Sequence, residues 1–121
     1  MSDGLWVGVA LIGGLGAVAR FTLDGLVSQR FGRSLPLGTF AINISGALVL
    51  GLLTGLALPT DQYLLEGTAA IGSYTTFSTW MLETHRLGED GQIWPGIANA
   101  VVSVLVGVGA AALGRIIGRQ A

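Results

Sequence analysis

From Leu37 to Leu58 the chain carries no charged side chain, and from Gly4 to Val27 it carries only two, Arg20 and Asp24. An apolar run of about 20 residues is what an α-helix needs to cross the hydrocarbon of a bilayer. Two further runs have this character, Tyr63 to Glu83 and Trp94 to Ile117. Together they predict an all-α integral membrane protein with four transmembrane helices, at roughly 4–27, 37–58, 63–83 and 94–117. The connectors QRFGRSLP, PTDQ and HRLGEDGQ are short and rich in turn formers or charge. They leave no room for a soluble domain, so residues 1–121 read as one transmembrane domain.

Charged residues make up only 11% of the chain, against about 25% in a soluble domain. The formal net charge of −1 supplies no basic footprint for nucleic acid. Cysteine is absent, which excludes disulfides, thiolate catalysis and cysteine metal sites. The first residues contain Asp3 and no Lys or Arg ahead of the apolar run, unlike a secretory signal. The first run is therefore expected to be a retained helix, in a multi-pass protein of the cell membrane surrounded by lipid.

Orientation follows Lys and Arg in the loops. Lys is absent; Arg30, Arg33 and Arg86 fall on one side and Arg115 and Arg119 on the other. This near-balance leaves both a single and a dual topology open. Small residues recur at four-residue steps: Gly4 and Gly8; Ala47, Gly51 and Gly55; Ser103, Gly107 and Ala111. Such stripes let helix backbones approach closely, within one chain and between chains, so an oligomer is expected.

Polar residues at membrane depth are where function is sought. Arg20 lies roughly 24 Å along the first helix at ~1.5 Å per residue, near an interface. Asp24 is four residues on and can pair with it, so Arg20 is predicted to be a structural anchor. No Asp, Glu, Lys or His falls at the middle of any run. Proton-coupled exporters use such a group, so a passive path is the better reading. The residues left at depth are neutral hydrogen-bonding groups: Thr39 and Asn43 on the second helix, Asn99 and Ser103 on the fourth, and the stretch GSYTTFSTW at 72–80 on the third. Asn43 cannot satisfy its own amide within a helix, so it must meet a partner helix or a passing ion.

The GSYTT segment is poor in helix formers. A break there would turn backbone carbonyls inward, where they suit a hard cation; an unbroken helix with small residues for packing is equally compatible with the spacing. Gly14, Gly16 and Ala19 match a dinucleotide-binding spacing, but inside a membrane span they read as packing glycines. No nucleophile–base pair, carboxylate dyad or metal cluster is present in the sequence, so an enzyme is not expected.

Three stretches, GGLGAVARF at 13–21, GTFAINISG at 38–46 and GSYTTFSTW at 72–80, resemble in order the three signatures of the Fluc fluoride channels, also called CrcB proteins. The resemblance covers nearly the whole chain. It implies an antiparallel dual-topology homodimer that conducts fluoride passively out of the cell, conferring fluoride resistance. It implies a broken third helix and a structural sodium ion at the dimer centre, held by backbone carbonyls at positions matching Gly72 and Thr75. Asn43 matches the pore asparagine, with Thr39 one turn before it. Phe77 matches the first aromatic of the facing phenylalanine boxes, with Ser78 and Thr79 as the polar residues that follow. Trp80 stands where the family usually has a second phenylalanine. Asn99 and Ser103 match the fourth-helix polar track, and Arg20 the arginine of the first helix. The alternative is a small multidrug-resistance-type proton-coupled exporter, which shares four short spans but relies on a buried carboxylate in its first helix.

Overall fold

The computed structural model describes residues 2–32 and 35–120. Arg33 lies outside the described residues, as does the side chain of Ser78. The chain is all helical, with four membrane helices of which the third is broken.

Helix α1 (Asp3–Phe31) begins where the Ser2 hydroxyl accepts the Leu5 amide at 3.1 Å, satisfying one of the first-turn donors that a helix leaves unpaired. It ends at Gly32, whose φ of 77° and N–H to Ser28 O at 2.8 Å close the last turn. These caps carry the helix beyond the apolar run, to Phe31. Helix α2 (Leu37–Leu56) starts after Pro36 and stops at Ala57, a non-glycine residue in the left-handed region with φ 53°.

The third membrane helix has two halves. The first, α3 (60–74), opens as α-helix over Thr60–Tyr63, widens to a π-helix over Leu64–Ile71, and closes on the α turn Gly72–Tyr74. The second half is α4 (Ser78–Glu89). Between them the chain leaves helical geometry. Helix α5 (Ile93–Gln120) completes the bundle, with Pro95 in its first turn, where its missing N–H breaks no hydrogen bond.

Helices α1, α2 and α5 are each long and apolar enough to cross a membrane, by length and composition. Their exposed faces are apolar. Phe21 is 81% exposed, Trp94 79% and Leu105 67%, which water would not tolerate over so large an area and lipid does. This is a multi-pass membrane protein.

Little side-chain core lies between the helices. Among the described residues the buried apolar side chains are Ile42, Leu53, Ala69 and Leu87, and most other buried positions are glycine. The tightest pairing is α2 with α5, and glycines build it from both sides. A Cβ on Gly51 or Gly55 would collide with the carbonyl oxygens of Ala111 or Arg115, and a Cβ on Gly114 or Gly118 with those of Leu48 or Leu52. Backbone meets backbone along this seam, as small-residue stripes allow in lipid. The sequence stripe on the fourth helix ended at Ala111; the seam continues through Gly114 and Gly118.

Helix α1 packs mainly on α3. Gly16 lies against the carbonyl of Ala70, and Gly13 and Gly8 approach Ser73 and Leu65. A Cβ on Gly4 or Gly14 would meet nothing among the described residues. The Asp24 carboxylate lies over Gly38 at the start of α2, where a helix N-terminus favours negative charge. On the exposed end of α4 the His85 imidazole Nε2 lies 2.6 Å from the Glu89 carboxylate.

The seam gives a direct prediction. Gly51→Ala and Gly114→Ala each destabilise the protein by about 1–3 kcal/mol through overpacking. Gly109→Ala, where a Cβ meets nothing, does not. Loss of helical circular dichroism on titration with SDS measures the difference.

Candidate functional site: the break in the third helix

The break is built on Thr75. Its backbone is extended, with φ −81° and ψ 162°. Its amide and hydroxyl still bond to Ile71 O, at 2.9 and 3.0 Å, so the first half is properly ended. The next residue is held from another helix. Asn43 Nδ2 donates to Thr76 O at 2.9 Å, and Thr76 N donates back to Asn43 Oδ1 at 2.9 Å. Thr76 then starts the second half. Its hydroxyl accepts the amide of Thr79 at 3.3 Å, the side-chain capping that helix starts favour.

This arrangement diverts two amides. In an unbroken helix Thr76 N–H would bond Gly72 O, and Thr79 N–H would bond Thr75 O. Here the first goes to Asn43 and the second to the Thr76 hydroxyl. The carbonyls of Gly72 and Thr75 lose their usual helical donors. A freed carbonyl at membrane depth is tolerated only inside protein or facing a polar cavity.

Three consecutive break residues meet one turn of α2. The Ser45 hydroxyl lies 2.8 Å from Tyr74 OH. Gly46 sits so close under Thr75 that a Cβ would collide with its Cγ2 methyl. Asn43 grips Thr76. The sequence named Asn43 and Thr75 but missed Thr76 and Tyr74 as partners. A Thr at position 76, just ahead of a helical run, was a readable N-cap signal.

An open groove of about 500 Å³ runs over this surface, lined by Asn43, Gly72, Thr75, Thr76, Phe77 and Trp80 among others. Phe77 is 70% exposed. Its ring meets Trp80 edge to face, with centroids 5.5 Å apart and planes at 69°. Thr79 is exposed on the same segment, and Ser78 begins α4. Gly72 is exposed, and a Cβ there would meet nothing.

The remaining expected residues lie elsewhere. Asn99 and Ser103 line a second groove of about 440 Å³ with Pro36, Phe40 and Pro95. Asn99 Nδ2 donates to the Thr84 hydroxyl at 2.7 Å, and that hydroxyl donates to Trp80 O at 2.8 Å. The Trp80 indole N–H reaches Asn99 O at 3.4 Å. Trp80 lines the first groove and Asn99 the second, so this triangle stands between them. Ser103 is 8% exposed, and its hydroxyl has no hydrogen-bond partner among the described residues. Thr39 is buried and donates its hydroxyl to Glu83 Oε1, beside a third, polar pocket that includes Glu83, Asp24 and Arg86. Arg20 is half-buried on α1. Of the donors expected on α2 and α5, Thr39 is thus engaged within the chain, Asn43 and Asn99 each donate one of two amide hydrogens among the described residues, and the Ser103 hydroxyl is left.

No group of three or more His, Cys, Asp or Glu gathers among the described residues.

Residues 7–115 match the family described as CrcB-like protein, Camphor Resistance (CrcB). The fluoride-specific ion channel FluC 2 of Mycobacterium tuberculosis (strain ATCC 25618 / H37Rv) is 58% identical over 111 residues, covering 92% of this chain and 88% of that protein. FluC 1 of Leifsonia xyli subsp. xyli is 46% identical over 114 residues, covering 91% and 83%. FluC of Syntrophotalea carbinolica is 44% identical over 117 residues, covering 93% and 95%. With a broken third helix at the matching motif and a match over nearly its whole length, the chain belongs to the CrcB-like family.

Proposed function

We propose that the chain is a passive fluoride channel and that the groove over the broken helix is part of its ion path. The observation that carries this is the edge-to-face pair of exposed Phe77 and half-buried Trp80, beside the break in a chain whose relatives are named fluoride-specific ion channels. An aromatic ring has an electropositive edge, and fluoride needs compact donors to replace its tightly held water. The groove offers such edges, together with the remaining amide hydrogen of Asn43. The hydroxyls of Thr79 and Ser103, with Ser78, Thr39 and Asn99, extend the polar path along α4, α2 and α5. Its chemistry is transport, without a catalytic step.

One chain leaves this groove open on a side, and Phe77 is uncovered. A second copy, packed antiparallel on the break face, closes it. The near-balance of arginines between the two sides permits the opposite insertion. The carbonyls of Gly72 and Thr75, relieved of their helical donors, fit a structural sodium ion at that interface; sodium would supply charge compensation for freed carbonyls brought together. Arg20 is a structural anchor of α1 near the membrane interface.

Purified protein in liposomes releases fluoride with no proton gradient, read by a fluoride electrode. Absence of flux from a well-folded dimer overturns the channel reading. Phe77→Ile removes the exposed ring edge and slows efflux by about tenfold or more, equivalent to ~1.4 kcal/mol or more, while the dimer persists on size exclusion. Trp80→Phe keeps an aromatic edge and removes one long hydrogen bond, so efflux stays within about threefold of the parent, since such bonds contribute only about 0.5–1.5 kcal/mol net. Replacing sodium with a large organic cation during purification abolishes flux if the ion is structural, and restoring sodium returns it.

A further inference from the structure

Asn43, Ser45 and Gly46 occupy one turn of α2 and meet Thr76, Tyr74 and Thr75, the residues where helical geometry fails. Hydrogen bonds from Asn43 to both backbone groups of a single residue, each 2.9 Å, are the contacts a neighbouring strand would make. They replace the helical partner of the Thr76 amide and leave Gly72 O without its own. Gly46 contributes in another way. It offers no donor or acceptor on its side chain, only the absence of a Cβ, which lets the Thr75 methyl seat against α2. If Thr75 could not seat there, Thr76 would move away from Asn43. Hydrogen bond and steric seat are therefore coupled, and they act on adjacent residues of one short segment.

Resting on the channel reading above, we propose that Asn43 and Gly46 are positioning residues for permeation: they hold residues 74–76 out of helical register, and Asn43 makes its main contribution through the Thr76 backbone. A direct ion contact by Asn43 predicts that only loss of its amide matters. Positioning predicts that a methyl on Gly46, which removes no hydrogen-bonding group, does comparable damage.

The test pairs fluoride efflux from liposomes with amide hydrogen exchange on the same reconstituted protein. Gly46→Ala slows efflux about tenfold and speeds exchange in residues 74–79 about tenfold, the scale expected when a local hydrogen bond opens. Exchange along 48–55, in the α2–α5 seam, stays at the parent rate, which separates a local effect from unfolding. Adding Thr75→Ser to Gly46→Ala removes the colliding Cγ2 methyl, keeps the hydroxyl, and restores both readouts. Asn43→Ala changes both readouts as Gly46→Ala does.

Normal efflux from Gly46→Ala overturns the proposal. So does loss of efflux in Asn43→Ala with parental exchange in 74–79, which assigns Asn43 to the ion directly. Failure of Thr75→Ser to rescue a folded Gly46→Ala protein also overturns it. If the parent protein carries no fluoride, the channel reading fails on its own, and the exchange measurements still decide whether the two residues hold the break.

Discussion

In lipid a helix cannot be interrupted without somewhere to put the amides and carbonyls it releases, because no water is present to take them. The rest of this structure depends on how that constraint is met at Thr76. A single side chain, Asn43, satisfies both its backbone N–H and its C=O. The hydroxyl of Thr76 then caps the second half of the helix. The interruption is thus stabilised by two side chains and one seat for a methyl group, without a loop. Everything that distinguishes the face of α3 and α4 follows from it: freed carbonyls at Gly72 and Thr75, Phe77 turned out to the surface, and Trp80 returned to helical geometry one turn later.

The support for this device is a pair of helices with almost nothing between them. Helix α2 presents Gly51 and Gly55 to the backbone of α5, and α5 presents Gly114 and Gly118 to the backbone of α2. Close backbone approach permits weak Cα–H···O contacts and dense dispersion. The same helix α2 carries Asn43, Ser45 and Gly46 toward the break and Thr39 toward Glu83. Ties to both halves of the broken helix originate from α2.

Much of this was legible in the residues. Uncharged runs marked the helices, since a bilayer makes charge conspicuous by its absence. The polarity of GSYTTFSTW marked a place where helix and lipid disagree. Spacing alone left the break and a straight helix equally open, because the decisive partner, Asn43, lies 33 residues away in sequence. The Thr39 hydroxyl finds Glu83 across 44 residues, which no local pattern encodes. The i, i+4 spacing says that Asp24 can reach Arg20, and it does not say that the Asp24 carboxylate lies over the N-terminus of α2 at Gly38. Local spacing states what a side chain can reach; packing decides what it does reach. The fourth-helix stripe stopped short of Gly114 and Gly118, since the step from Ala111 to Gly114 is three residues and breaks the four-residue repeat.

The glycine seam has an entropic consequence. Side chains that are ordered on packing lose rotamer freedom, a cost that rises with their length and is zero for glycine. A seam whose inward positions are glycine therefore orders few rotamers when it forms. Its helices also find no alternative side-chain arrangement into which to relax. The α2–α5 pair is in this sense a jig with a single setting, and a segment clamped to it inherits that lack of choice.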